Sequence, residues 1–203
     1  MRNHIMHIAT FILLLISTGV FSQYVDIQKY ELLHKSLESH INIPELPLEK
    51  SLPDSDLPYS VDNTSSGFLP SVYIQIFASC GQDAGIGMAF AYEINRIRNV
   101  YALEPENNYS SLYTYNFLYQ GDNNLGISYF DSWDILQTQG QASAKDFMKD
   151  YGVYSNAGHV WMNGYMKYFR AMHNRIDNYY AIGVGDEKGL NKLKHWLNNH
   201  LDG

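Results

Sequence analysis

The sequence predicts a mostly helical α+β domain, and three observations lead to that fold class. Residues 82–100 carry apolar and small side chains around nearly the whole circumference of a helix, as a central buried helix does. Residues 161–176 and 187–201 repeat apolar side chains every three or four positions, which is typical of amphipathic helices. Residues 179–184, Tyr-Tyr-Ala-Ile-Gly-Val, are typical of a strand. The order helix, loop, helix, strand, helix indicates an α+β domain.

Residues 1–22 have the pattern of a signal peptide. Arg2 precedes the apolar run 8–16, and small residues lead to a predicted cleavage near Ser22 and Gln23. The apolar run is shorter than the roughly 20 residues that cross a bilayer, and no later segment approaches that length. We therefore expect an exported protein, secreted or periplasmic, whose mature chain has no membrane span.

Residues 23–69 are predicted to form an N-terminal helix followed by a proline-containing segment. Apolar residues at helical spacing occupy 27–41, and four prolines follow between residues 44 and 58. The segment is either a linker or a pro-segment that covers a cleft, and both readings stay open. The folded domain is expected over residues 70–203.

Within this domain, four local features define the element boundaries. Gly85 and Gly87, in the first turns of the central helix, predict the close approach of another backbone. The polar run 95–99 is expected to be the solvent end of that helix, and residues 109–126 are expected to be mainly loop. A short helix over 131–139 is predicted to stop at Gly140, and Asp186 is predicted to cap the last helix.

The composition argues against a nucleic-acid partner and excludes an internal disulfide. The formal net charge is −7, and loss of residues 1–22 removes Arg2 and no acidic residue, leaving −8, so we expect no nucleic-acid partner. A single cysteine cannot form an internal disulfide, so stability must come from a packed core, to which 17 tyrosines and nine phenylalanines contribute. No histidine pair has metal-ligand spacing, and neither a metal nor a cofactor is expected.

The single cysteine, Cys80, stands at the start of the predicted central helix. Unpaired backbone N–H groups and the positive end of the helix dipole stabilise a thiolate there, and the thiolate is the reactive form of cysteine. The position therefore suggests a nucleophile. The alternative is that Cys80 packs as a small apolar side chain.

Several blocks of the sequence resemble those of papain-like cysteine peptidases, specifically secreted bacterial members. They are Gln75, the run Ser79-Cys80-Gly81-Gln82 with the long helix behind it, Tyr115-Asn116, Gly126-Ile-Ser, residues 131–136 and Gly140. The resemblance covers about residues 70–203. It implies the papain-like fold, represented by the helical left domain with its central nucleophile helix, while the strand-rich right domain is largely absent.

The resemblance also implies site residues and a substrate class. Cys80 would be the nucleophile that attacks a peptide carbonyl, and Gln75 would donate a hydrogen bond to the oxyanion. Gly126 would lie along the substrate groove, where the missing side chain lets a substrate backbone approach. The substrate would be a peptide or a protein.

Two departures from the family pattern concern the nucleophile itself. Gln75 precedes Cys80 by one residue fewer than in papain, and Gly81 stands where the family has tryptophan. A different alignment places Cys80 on a structural half-cystine of the family and Asp83 in the nucleophile's position, which would make the protein inactive. Cys80 is the preferred nucleophile because the chain has no partner cysteine for a disulfide.

A third departure concerns the general base. The family's histidine follows the cysteine by roughly 130 residues or more, which is past Gly203, and His159 lacks the strand context of that base. The sequence therefore predicts a fragment without the catalytic histidine and asparagine, inactive alone, whose right domain is missing or separate. Such a domain would expose an apolar face that its partner normally covers.

Two other functions remain open. An exported, non-catalytic module could use the tyrosine-rich segments 109–119 and 165–180 to bind peptides or glycans. A pseudopeptidase could occupy the cleft of a partner.

Overall fold

The computed structural model describes residues 43–47, 57–72, 75, 78–119, 121, 126–147 and 161–199. Helix α1 covers residues 80–98 in three parts, Cys80–Gln82, the π-helix Asp83–Phe90 and Ala91–Arg98. The other helices are α2 (Ser111–Leu118), α3 (Tyr129–Gln139), α4 (Ala144–Phe147), α5 (Tyr165–Met172) and α6 (Glu187–Asn199), and a 3₁₀ turn spans Asn63–Ser66. The predicted signal peptide, the predicted helix over 27–41 and His159 lie outside the described residues.

The mostly helical architecture is confirmed, but the predicted strand over 179–184 does not form. In the described part of the chain, β pairing is limited to two single-residue bridges, a parallel one between Glu45 and Ala181 and an antiparallel one between Tyr109 and Ser143. A strand needs repeated pairing along a neighbour, and the extended segment beside Ala181 pairs with it at one position only. None of the helices described here is long and apolar enough to cross a bilayer.

Helix α1 is central, as predicted. Its first part packs on α2 and α3. Its later parts contribute to a core formed by Ile86, Phe90, Ala91, Ile94, Tyr109 and Leu136. The N–H of Ala91 reaches back five residues to the carbonyl of Ile86, which is the hydrogen bond of a π-helix. The turns behind Cys80 are therefore wider than those of a regular α-helix.

Gly85 makes room for an aromatic ring. A Cβ at this position would lie 3.4 Å from Cζ2 of the Trp133 indole. The close approach predicted at Gly85 is therefore present, but the neighbour is a side chain of α3 rather than another backbone.

Two predictions about local structure hold only in part. Residues 97–99, at the predicted solvent end of α1, are exposed, but Asn95 is fully buried, and its Nδ2 donates to the carbonyls of Phe68 at 3.2 Å and Asn107 at 2.9 Å. Residues 111–118, expected as loop, form α2, in which six of eight residues are buried. A helix buried on all sides lacks the one-sided apolar periodicity by which helices are predicted.

A second core joins α2 to α4 and α5. It consists of Leu112, Tyr113, Tyr115, Ala142, Phe147, Met162 and Ala171. Helix α3 stops before Gly140, as predicted, and Gly140 itself has a φ of 73°. A Cβ at Gly140 would lie 2.0 Å from the carbonyl oxygen of Ala171, and the N–H of Gln141 donates to that same oxygen at 3.1 Å. Gly140 is therefore where α3 meets α5.

The two C-terminal helices are less covered than their apolar patterns predict. Four large apolar side chains of α5 face solvent, with exposed fractions of 76% for Tyr165, 55% for Met166, 40% for Phe169 and 44% for Met172. Helix α6 begins after Asp186, whose Oδ1 accepts a 2.8 Å hydrogen bond from the N–H of Gly189, so the predicted cap is confirmed.

Candidate functional site

Cys80 is the first residue of α1, and its side chain is exposed. Ser79, immediately before it, is buried, and its carbonyl accepts a helical hydrogen bond from the N–H of Asp83 at 2.8 Å. The N–H groups of the first turn have no carbonyl partner within a helix. The positive end of the α1 dipole therefore lies beside the sulfur of Cys80.

Asp83 joins the start of α1 to α2. Its Oδ2 accepts a 2.8 Å hydrogen bond from Ser79 Oγ, and its Oδ1 accepts one from Ser111 Oγ. Ser79 and Ser111 are both buried. Because both carboxylate oxygens hold neighbouring hydroxyls, Asp83 fixes the position of the turn that carries Cys80.

Gln82 holds the same turn from another side. Its side chain is fully buried, and Nε2 lies 3.0 Å from the carbonyl of Ile127, 3.4 Å from that of Ser128 and 3.0 Å from Ser132 Oγ. These bonds join α1 to the segment that enters α3. This role of Gln82 was not predicted from the sequence, although a glutamine just ahead of the apolar and small residues 84–91 was the signal that could have revealed it.

Gly126 lies beside this contact. It is exposed, and a Cβ built on it would meet nothing within 4 Å. The next residue, Ile127, supplies one of the carbonyls bound by Gln82. The structure thus brings the loop of Gly126 to the turn of Cys80 through Gln82, and the role of Gly126 in substrate binding stays a prediction.

Gln75, the predicted oxyanion donor, is exposed and precedes α1 without belonging to a helix. Residues 73–74 and 76–77 lie outside the described residues. Its role at the oxyanion stays a prediction.

Two histidines lie in the described C-terminal helices or next to them. His173 follows α5, and its ring contacts that of Phe169 edge-on at 4.8 Å. His195 belongs to α6. Across the residues that the structure describes, no three side chains of His, Cys, Asp or Glu form a group able to hold a metal ion.

Two aromatic residues and one acidic residue, Trp133, Tyr179 and Asp134, form a cluster next to Gly85. Trp133, which packs over Gly85, stacks on the ring of Tyr179 with a centroid distance of 6.2 Å, and the Tyr179 hydroxyl donates to Asp134 Oδ1 at 2.9 Å. Burial, and then the hydrogen bond to Asp134, raise the pKa of Tyr179 to about 12. The phenol therefore stays protonated at neutral pH and acts as a donor that ties residue 179 to α3.

Comparison with known proteins adds no relative at this site. No protein family model, no curated protein and no solved structure matches this chain.

Proposed function

We propose that this chain is the nucleophile-bearing helical part of a secreted papain-like cysteine peptidase, in which the Cys80 thiolate attacks a peptide carbonyl. One observation carries the proposal. The side chain of Cys80 is exposed at the first residue of the helical run 80–98, next to the positive end of the helix dipole.

The reaction proceeds through an acyl intermediate. The Cys80 sulfur bonds to the carbonyl carbon, the C–N bond breaks and the amine leaves with a proton, and water then hydrolyses the thioester. Gln75 and the N–H of Cys80 hold the negative charge that develops on the carbonyl oxygen. In papain-like peptidases the histidine that transfers the proton and the asparagine that orients it belong to the strand-rich right domain, and the same division of roles is proposed for this chain. Turnover is therefore not expected from these residues alone.

The hydrogen bonds of Asp83 favour the alignment with Cys80 in the nucleophile's position over the alignment that puts Asp83 there and makes the protein inactive. The alternative alignment assigns the nucleophile's position to Asp83. Both oxygens of that carboxylate accept hydrogen bonds from Ser79 and Ser111 and fasten α1 to α2. The Cys80 side chain is exposed, and so can meet a substrate.

The rigidity of the turn supports the proposal further. A nucleophile acts efficiently when buried neighbours hold it in one geometry. Gln82 and Asp83 immediately follow Cys80 and Gly81, and their side chains bind Ser79, the start of α2 and the segment that enters α3. Residue 80 thus projects from a fixed turn beside the loop of Gly126.

Alkylation by iodoacetamide tests the thiolate directly. At pH 6.5 we expect Cys80 in the full chain to react about tenfold faster than a thiol placed at the opposite end of a helix dipole. The matched control is the double variant C80S/T138C. Thr138 is exposed in the last turn of α3, so this chain also has one exposed thiol.

Equal rates in the two chains would contradict a dipole-activated nucleophile. A peptide aldehyde then tests the oxyanion site, because the Cys80 sulfur adds to the aldehyde carbon and the carbonyl oxygen becomes the hemithioacetal oxygen. Gln75→Ala should weaken aldehyde binding several-fold and leave the iodoacetamide rate unchanged. If Gln75→Ala changed both equally or neither, the oxyanion role of Gln75 would be wrong.

The exposed stripe on α5 favours a second candidate, a non-catalytic peptide- or glycan-binding module. Tyr165, Met166, Phe169 and Met172 form one exposed apolar surface, and Tyr165 stacks on Phe169 with a centroid distance of 6.1 Å. Aromatic surfaces of this kind bind peptides and sugars. Fluorescein-labelled casein distinguishes the candidates. In a binding module Cys80→Ser keeps casein binding and Phe169→Ser weakens it, whereas loss of binding in Cys80→Ser would argue against a purely aromatic site.

A further inference from the structure

A short N-terminal segment, residues 43–47, is bound as an extended chain beside Ala181. We call this segment the strap. The N–H of Leu46 donates to the Ala181 carbonyl at 2.8 Å, and the N–H of Ala181 donates to the Pro44 carbonyl at 3.0 Å. Both backbone polar groups of Ala181 are therefore used by the strap, in the manner of a parallel β pair.

Lys192 of α6 holds the strap through its side chain. Its exposed fraction is only 9%, and its Nζ donates to Glu45 Oε1 at 2.9 Å and to the Leu46 carbonyl at 3.0 Å. Burying an ammonium group is costly unless acceptors surround it. Both of these acceptors belong to the strap. Lys192 therefore lies where it can bind the carboxylate and the backbone carbonyl of an extended peptide. Hydrogen bonding and the charge of Lys192 hold the pKa of Glu45 below its usual range.

The surface that receives the strap is fixed by other contacts. Gly189 lies one helical turn before Lys192, and a Cβ there would lie 1.6 Å from the carbonyl oxygen of Gly183. The loop that follows Ala181 therefore rests directly on the backbone of α6. Asp186 caps the same turn through the N–H of Gly189. These contacts hold Ala181 and Lys192 at a set spacing without any residue of the strap.

We propose that Ala181 and Lys192 form a docking site for an extended acidic peptide, and that the strap is its occupant within the same chain. Recognition combines backbone pairing with one carboxylate, which is the logic of strand addition to an exposed edge. The occupant is the segment Ile43-Pro-Glu-Leu-Pro47. Among the described residues, four hydrogen bonds to Ala181 and Lys192 hold it, and the strap opens reversibly while the helices stay folded. This site is independent of Cys80.

Amide hydrogen exchange on the full chain tests the cis contact. Lys192→Met should raise the exchange rates of the Leu46 and Ala181 amides about tenfold, because the ammonium that holds the strap is gone. Lys194→Met is the matched control. Lys194 is exposed on the same helix, and its Nζ donates to Asn191 Oδ1 at 3.3 Å, away from the strap. Unchanged exchange in Lys192→Met, or an equal rise in Lys194→Met, would overturn the proposal.

Glu45→Ala provides a second variant in case Lys192→Met fails to fold. Glu45 is exposed on the strap, so its loss leaves the helices intact. It should raise exchange at the same two amides by a smaller factor. No change at either amide would contradict a role for the carboxylate.

A synthetic peptide of residues 41–49 tests the site in trans. The receptor is the full-length variant E45A/L46P, which lacks the strap's carboxylate and its Leu46 N–H. The labelled peptide should bind this variant at least about tenfold more tightly than it binds the unaltered chain, whose site is occupied. Adding Lys192→Met to the variant, or using a peptide with Gln in place of Glu45, should weaken binding. The docking site is refuted if E45A/L46P does not bind the peptide or if Lys192→Met has no effect.

Discussion

The helical body around α1 and the C-terminal helices differ in which side chains they bury. In residues 79–147, the fully buried polar side chains include Gln82, Asn95 and Gln141, each of which donates hydrogen bonds to the backbone. In residues 161–199, large apolar side chains of α5 face solvent while a lysine of α6 is nearly buried. The first region buries polar amides among its helices, whereas in the second an amphipathic helix leaves much of its apolar face exposed.

Within the described part of the chain, the buried amides form hydrogen bonds through their nitrogens only. The Nε2 or Nδ2 of Gln82, Asn95 and Gln141 donates to backbone carbonyls, whereas Gln82 Oε1, Asn95 Oδ1 and Gln141 Oε1 are buried without a hydrogen-bond partner among the described residues. Each buried, unpaired oxygen costs about 1–3 kcal/mol, so these side chains position their neighbours at a cost in stability. Gln141 Nε2, for example, donates to the carbonyl of Ser110 at 2.5 Å and so fixes the start of α2 against the end of α3.

The C-terminal helices show the opposite balance. The exposed fraction of Leu190 is 44%, although its spacing with Leu193 and Leu197 predicts a buried face. Lys192 is buried instead because the strap covers it. The apolar periodicity of a helix predicts which of its faces is apolar. It does not specify whether another segment of the chain or another molecule packs against that face.

The junction between the two regions should be the position most sensitive to substitution. Gly140→Ala should lower the free energy of unfolding by about 4 kcal/mol, because its backbone angles (φ 73°, ψ −163°) suit only glycine and its Cβ would collide with the Ala171 carbonyl. Urea unfolding followed by circular dichroism measures the change.

Gly164→Ala is the control variant, because it introduces backbone strain without a steric collision of the new Cβ. Gly164 also has a positive φ of 103°, but a Cβ there meets nothing within 4 Å. It should cost about 1–2 kcal/mol, from backbone strain alone. If both substitutions had equal cost, the contact between Gly140 and Ala171 would not join the two regions.

The same substitution in each region tests the contrast in packing. Leu136→Ala removes a fully buried side chain of the body and should cost about 3 kcal/mol, whereas Leu190→Ala removes a side chain that is 44% exposed and should cost less than about 1 kcal/mol. Thermal and urea unfolding of the two variants provide the comparison. A cost for Leu190→Ala as large as that for Leu136→Ala would show that α6 is packed as tightly as the body.

The smallest expected effect is that of pH on the link between Tyr179 and α3. The pKa of Tyr179 is raised from 10.0 to about 12, so the folded state keeps a proton that the unfolded state loses. Its contribution to stability is complete below pH 10 and falls as the pH rises from about 10 to about 12. Absorbance titration at 295 nm should show one tyrosine fewer ionising near pH 12 in Tyr179→Phe.

Asp134→Asn is the companion to that titration. It removes the charge of the hydrogen-bond acceptor of Tyr179, so the pKa of Tyr179 should move back toward 10. An identical high-pH titration in Tyr179→Phe and the unaltered chain would mean that the Tyr179 hydroxyl does not hold residue 179 on α3.

Short sequence patterns predicted several elements correctly. They failed where burial depends on segments that are distant in the sequence. Gly140 and Asp186 act on their own backbone, so their roles at the ends of helices were predictable from sequence. Helix α2 was predicted as loop because it contains two tyrosines, a serine and an asparagine, all of which are buried among other elements. At the candidate site, Cys80 was identified from its place at a helix start, whereas Gln82 was missed because its partners lie about 45 residues away in sequence.

The sequence by itself determined that this chain is mostly helical, that α1 is its central helix and that its single cysteine begins that helix. These properties follow from periodicity and helix-end chemistry, which act over a few residues. Only the tertiary structure decided that Gln82, Asn95 and Lys192 would be buried and that the apolar stripe of α5 would not. Burial depends on which distant segments supply hydrogen-bond partners or cover a face, and no local pattern records those contacts.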